Sequence, residues 1–420
     1  MATIQHPHLG SITGKENDSV VEFLGLKYGS LRDRFAEASL FEDYGASTDT
    51  TSVGPSVAQK DFLPLEFRLL QHSLPGGQHL VSDTDGLRLN ITTPQTLEGF
   101  KHLPVLVFIH GGNFASGSAM WPQYNMARLA KQSLDSGLPT VCVAINYRVG
   151  APGFLISKEM VDAGIKGNRG LRDQRLALLW LRRHIAGFNG DPDNMTVVGH
   201  SAGAVQALRG PSHMSNIPQS SIFMLALGPR VAGIGAAFSE SLDNSLADIP
   251  DAKEKILTRY GIKEQDDDAE VIQRILNFAH DAIFYVPAVA LAKAWSGPAY
   301  VYHFNEPNPW DGPWKGRASH LTDIGFIFHN FDGYMTDAQR AVGARYASDL
   351  IEFANGNAPW PALGERNTAR IYGPSVRGII ATTTELDSNA TQRRTWAQEM
   401  LEDIGADRVN NAVHHFLAGQ

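Results

Sequence analysis

The chain has 420 residues, 43% of them hydrophobic, which is enough to bury a large core, and its 36 basic and 44 acidic side chains leave a formal charge of −8. That balance argues against a nucleic-acid binder, which needs a clustered basic surface to neutralise phosphates. No basic segment followed by an apolar one opens the chain, no stretch approaches the length of a membrane span, and one cysteine, Cys142, excludes an internal disulfide; the expectation is a soluble, unprocessed, cytoplasmic protein.

Short alternating pieces at residues 19–26 and 79–91, broken by Gly, Pro, Asp and Ser, predict an antiparallel edge. Three β-branched apolar runs, Leu103–Ile109, Thr140–Ile145 and Met195–Val198, each lead into Gly or turn residues and predict buried strands. Cys142 lies in the second run and reads as a small buried hydrophobe. Between the second and third runs, Leu171, Leu176, Leu179, Trp180 and Ile185 recur at helical spacing. Strands alternating with helices predict a mostly parallel sheet covered on both faces. Helical periodicity returns over residues 251–291, where the acidic run Glu264–Glu270 reads as a solvated loop or helix start rather than a metal site. The amphipathic tail, residues 389–417, packs on its own domain or forms a homodimer through C-terminal helices; periodicity does not choose between these. With no repeat, linker or composition shift, residues 1–420 read as a single domain.

The chemistry concentrates at Gly199-His200-Ser201-Ala202-Gly203, a G-x-S-x-G pattern between the third apolar run and a helix predicted over 202–208. Strand, sharp turn and helix are what a nucleophile elbow requires, with the glycines allowing the tight turn and Oγ of Ser201 projecting from it. The N–H of Ala202, at the helix start, can face an oxyanion. About ninety residues earlier, His110-Gly111-Gly112-Asn113-Phe114 ends a strand with a glycine-rich turn, and the N–H groups of Gly112 and Asn113 complete an oxyanion hole with Ala202. A base has to follow the serine in the chain. His320 sits in a polar loop before an apolar stretch, as a catalytic histidine should; His303 and His329 are the alternatives and read rather as structural, and His200 reads as a residue that lines or supports the site. Phe114, Trp121, Phe326 and Phe328 either line an apolar substrate pocket or pack the core.

These motifs, in this order, resemble the type B carboxylesterases and cholinesterases. Residues 8–14 and 23–28 are similar to that family's N-terminal strands, 87–94 (LRLNITTP) to its "LYLNVYTP" stretch, and 146–154 to its "NYRLG…GF". The longest similarity runs from Gly167 through Trp180 and from Phe188 into the elbow; 353–360 and 371–374 are similar to the family's C-terminal segment. The resemblance implies an α/β-hydrolase fold, with a mostly parallel central sheet, an antiparallel N-terminal edge and helices on both faces. It implies Ser201 as nucleophile, His320 as general base, Gly112, Asn113 and Ala202 as the oxyanion hole, a small-molecule ester as substrate, no cofactor and no metal.

Four departures qualify it. Gly86 stands where the family usually has a cysteine, and Asn113 replaces a small residue, so that its side chain crowds or bonds the acyl group. The chain is short between Ala204 and Asp251, which predicts a reduced lid region. The family's acid loop corresponds to residues 228–238, and that stretch contains no Asp or Glu. Glu240 is the carboxylate put forward as acid, with Asp243 just after it and Asp323 following His320 as the others weighed, though none matches the family position. A lost acid costs a triad about four orders of magnitude in kcat. The expected function is therefore a serine carboxylic-ester hydrolase, with a non-hydrolytic homologue (cyclisation, elimination, condensation or binding) as the alternative.

Overall fold

In the structure, a computed structural model describing residues 1–60, 63–76, 80–95, 102–207, 213–216, 232–386 and 392–418, the three apolar runs become strands. The chain divides into two units, one formed by residues 1–68, 72–210 and 324–359, the other by 69–71, 211–323 and 360–420.

The first unit holds an eight-stranded sheet of β1 (Ala2–His6), β2 (Gly10–Asn17), β3 (Val20–Lys27), β4 (Ser47–Asp49), β5 (Arg88–Pro94), β6 (Leu103–Ile109), β7 (Val141–Ile145) and β8 (Gly190–Gly199). Its order is β1-β2-β3-β5-β7-β6-β8, with β4 beside β2. The pairs from β1 to β7 along this path are antiparallel, whereas β6 runs parallel to both β7 and β8. The antiparallel edge leading into a parallel core thus follows the sequence pattern. All of β7 and nearly all of β6 are buried, the continuous apolar runs of strands covered on both faces. Beside them lie the helices α1 (Ala127–Asp135), α2 (Arg169–His184) and α3 (Ala202–Ala207). Trp180 and Leu181 of α2 join Val105, Val107, Val143 and Ile145 in one core cluster. Cys142 is buried in β7 and burial pushes its thiol up to about 12, so it packs as an inert hydrophobe.

Several polar devices fasten this unit. Arg148 meets Asp173 through Nη2 at 2.7 Å and Nε at 2.8 Å, both side chains being buried, while its Nη1 donates to the carbonyls of Arg34 and Ala36. His6 pins the β1–β2 hairpin to the end of α2. Its Nε2–H donates to the His184 carbonyl at 2.8 Å, and its Nδ1 accepts the N–H groups of His8 and Leu9 at 3.1 and 3.2 Å. The ring lies against Gly187, where a Cβ would fall 2.2 Å from it. His184 in turn bonds Glu42 at 2.8 Å. Burial lowers the pKa of both histidines. Glu66 is buried and its Oε2 accepts Gln123 Nε2 at 2.6 Å and the Tyr124 hydroxyl at 2.9 Å; burial pushes its carboxyl up to about 7. At Gly86, a Cβ would approach the Val57 backbone to 2.5 Å, so a cysteine there would require the chain to move.

The second unit carries β9 (His213–Asn216), β10 (Tyr300–Phe304) and β11 (Thr368–Tyr372) in parallel, with β12 (Ala381–Glu385) antiparallel at the edge. Its helices include α4 (Ile234–Leu246), α5 (Asp268–His280), α6 (Gln392–Ile404) and α7 (Ala406–Ala418). The acidic run forms the start of α5, where Asp267 caps the Ala269 N–H at 3.0 Å and Arg274 bonds Asp266 and Glu270. Residues 268–294 are long and apolar enough to cross a membrane by length and composition, but 67% of that window is buried, and Val271, Ile275 and Phe278 pack in the unit's core. Val409, Val413 and Phe416 of α7 join Phe238 and Leu242 of α4 in the same cluster. These residues of the C-terminal tail pack in the unit's own core. Residues 208–212 and 217–231, part of the stretch expected to carry a reduced lid, lie outside the described residues, and Leu208 at the predicted end of α3 is among them.

Candidate active site

Strand β8 ends at Gly199 and α3 begins at Ala202, which leaves two residues to reverse the chain. Ser201 adopts φ 53°, a left-handed conformation rare for a residue with a side chain. Strain of this kind costs about 1–3 kcal/mol and persists where surrounding structure enforces it. Here the glycines enforce it. A Cβ on Gly203 would lie 2.2 Å from the Ile109 carbonyl oxygen, and one on Gly199 2.2 Å from that of Gly203. The start of α3 is thus pressed against the end of β6 as closely as backbone allows. The His200 N–H donates to Ile109 O at 3.2 Å, and the Gly203 and Ala204 N–H groups donate to the carbonyls of His200 and Ser201.

The glycine-rich turn after β6 meets this elbow directly. A Cβ on Gly111 would sit 2.8 Å from Cβ of Ser201, so only glycine lets the two approach. The turn then runs through three consecutive left-handed residues, Gly112 at φ 104°, Asn113 at 54° and Phe114 at 59°. Asn tolerates this region; a bulky Phe rarely does. The carbonyl of Gly112 accepts the N–H groups of Ala115 and Ser116, and that of Phe114 accepts Gly150 N–H at 2.6 Å. His110 anchors the turn from beneath: it stacks on Tyr147 at 4.4 Å, accepts the Tyr147 hydroxyl at its carbonyl, and donates from Nδ1 to Gly111 O at 2.9 Å. Burial pushes His110 down to about 4, keeping it neutral. Among the described residues, the N–H groups of Gly112, Asn113 and Ala202 donate to no protein acceptor. A turn and a helix start with uncommitted donors, abutting one serine, can receive an anionic oxygen.

His320 belongs to the second unit, in the connection after β10. It is 6% exposed, and burial pushes its imidazole down to about 3. Around it, Asn308 and Arg317 are joined backbone to backbone at 3.0 Å, Leu321 is left-handed at φ 73°, and Ser319 bonds Thr322. Glu240, the acid put forward from sequence, is exposed on α4, and Asp243 pairs with Lys253 at the surface. A carboxylate that orients a buried imidazole has to share its burial, so the placement of Glu240 speaks against that role. Two buried carboxylates lie on His320's own connection. Asp323 is 4% exposed, three residues beyond it. Glu306 is fully buried at the end of β10, where it accepts the Ser375 N–H and hydroxyl, each at 2.6 Å, and burial raises its carboxyl. Sequence reasoning missed Glu306, because a lone Glu before Pro-Asn-Pro reads as a turn. Of the aromatics, Trp121, Phe326 and Phe328 are buried, Phe328 packing edge-on against Phe108 in the core, while Phe114 stays half-exposed against Phe154 at 5.2 Å. Among the described residues, no three His, Cys, Asp or Glu side chains are grouped to hold a metal ion.

Residues 2–220 and 235–393 match the profile of the Carboxylesterase family. Lipase 3 of Yarrowia lipolytica is 36% identical over 201 residues, which cover 46% of this chain and 39% of that protein. An inactive carboxylesterase-like protein of Byssochlamys spectabilis is 33% identical over 203 residues, covering 47% of this chain and 32% of its own. The chain thus spans well under half the length of these relatives. Among solved structures, a PNB esterase superposes with a TM-score of 0.70 over 94% of this chain and 98% of its own, at 22% identity, a likeness of fold.

Proposed function

The chain belongs to the carboxylesterase family and has the α/β-hydrolase fold, and from that premise we propose that it hydrolyses carboxylic esters through an acyl-enzyme on Ser201. Neutral His320 takes the hydroxyl proton as Oγ attacks the ester carbonyl. The N–H groups of Gly112, Asn113 and Ala202 receive the oxygen that becomes negative. The imidazolium then returns the proton to the departing alcohol, and water, activated by the same base, releases the acid and frees the serine. The observation that carries this reading is the left-handed Ser201 held against a turn whose N–H groups are uncommitted. The half-exposed Phe114 and Phe154 support a substrate of small to medium size with an apolar portion. The names of the lipase relatives support an ester.

The test is a fluorophosphonate probe followed by turnover of p-nitrophenyl esters. Labelling that disappears in Ser201→Ala is the expected result; an unlabelled, folded wild type overturns the proposal. Asp323→Asn and Glu306→Gln are the acid variants to compare with Glu240→Gln, and a loss of about a thousandfold or more in one of them identifies the orienting carboxylate. The absence of Asp and Glu from residues 228–238 favours a second reading, in which the pocket serves a non-hydrolytic reaction. Stoichiometric labelling without ester turnover would be its signature.

A further inference from the structure

We infer that Asn113 selects the acyl half of the substrate, and that the preferred esters are those of acids oxygenated at C2 (2-hydroxy, 2-alkoxy or 2-oxo). This rests on the reading of Ser201 as an esterase nucleophile. Asn113 is one of the residues whose N–H is uncommitted, and it follows by two the glycine that abuts Ser201. Its side chain is exposed and, among the described residues, bonds no protein group. The left-handed backbone at φ 54° would be met at least cost by glycine; Asn is among the few other residues that take it readily, and it adds a carboxamide.

One residue therefore offers two donors, its backbone N–H and its Nδ2–H₂, rooted on the same Cα. With the backbone N–H on the carbonyl oxygen, the carboxamide on the same Cα, exposed and bonded to no protein group among the described residues, is the donor available to what is attached to the carbonyl carbon. A C2 oxygen lies close to the carbonyl oxygen and can be turned to the same side, so a single asparagine can hold both at ordinary hydrogen-bond lengths of about 3 Å. An apolar C2 substituent offers the carboxamide nothing and displaces the water that solvates it. The neighbouring Phe114 and Phe154 rings supply the apolar surface for the rest of the substrate.

p-Nitrophenyl methoxyacetate and p-nitrophenyl butyrate test this, because their acyl chains have nearly the same shape and differ by an ether oxygen in place of a methylene. Their intrinsic reactivities differ, so the quantity of interest is the ratio of kcat/KM for the two, compared between wild type and variants. In Asn113→Ala and Asn113→Asp that ratio should fall about tenfold, the value of one hydrogen bond. Asp keeps the shape and the tolerance of the left-handed backbone but has no N–H to donate. An unchanged ratio in both variants overturns the inference while leaving the esterase reading intact. So does an equal rise for both esters in Asn113→Gly, which means that the side chain only crowds the site. Absence of both ester turnover and fluorophosphonate labelling removes the esterase reading, and the role of Asn113 falls with it.

Discussion

Ser201 shows how little tolerance the elbow has. Gly203→Ala places a methyl group 2.2 Å from the Ile109 carbonyl and 2.6 Å from that of His110, atoms of a strand end and its following turn that have nowhere to go. We expect a loss of at least about 2 kcal/mol in stability and of esterase activity together, read by thermal melting and p-nitrophenyl acetate turnover. The elbow was legible because its chemistry is local: five residues after an apolar run prescribe the turn. His320 was also marked by its surroundings, but its protonation is set by burial that no local pattern reports. Burial pushes its imidazole down to about 3, so the base proposed for Ser201 stays unprotonated far below the ordinary histidine range. kcat/KM should stay flat from about pH 8 to about pH 5 and fall only below that. A profile that halves near pH 6.5 would instead mean that a carboxylate stabilises the imidazolium and restores its usual affinity for protons, so the same measurement reports whether the base has an acid behind it.

Besides the pairing of β2 with β3 and β4, the β1–β2 hairpin is tied to the end of α2 by one imidazole in one tautomer. Nδ1 of His6 serves two N–H groups only while it carries no proton. With the pKa lowered by burial, the unfolded segment binds a proton before the folded one does, so the tie is intact above about pH 6.5 and weakens as pH falls below it. His8 and His184 lie beside it; His184 gains positive charge on acidification, Arg183 beyond them is positive throughout, and Glu42 on His184 is the countercharge. Hydrogen exchange over residues 2–17 should accelerate on going from about pH 7 to about pH 5 relative to the β6–β7 core, and His6→Phe should remove that difference. Unchanged protection at the lower pH would show that the hairpin does not depend on the histidine. The hairpin itself was readable from alternation. Its fastening was not, because it depends on a pairing across 178 residues.

At the scale of the molecule, the alternation of apolar runs and helical periodicity was enough to give a parallel core with an antiparallel edge, since strands buried on both faces cannot carry polar residues. The distribution of charge was less legible. Glu240 was favoured for its position in the chain and lies in solvent, whereas Glu306 and Asp323 are buried by packing that brings distant segments together. The same holds for Glu66, and it has a consequence for how the protein exchanges protons with its surroundings. Its carboxyl has a pKa of about 7 in the folded chain against 4.5 when free. Between these values folding takes up a proton that the unfolded chain has released, so this group favours the folded state most at low pH and the advantage fades as pH rises from about 4.5 to 7. That is opposite in sign to the contribution of His6. At about pH 6 the net proton uptake on refolding should therefore decrease in Glu66→Gln, as measured by the dependence of the unfolding enthalpy on the ionisation heat of the buffer. Equal uptake in the variant would mean that Glu66 is ionised in the fold. The acidity of the medium thus acts on this protein as a reactant in its folding equilibrium, with two buried groups drawing it in opposite directions.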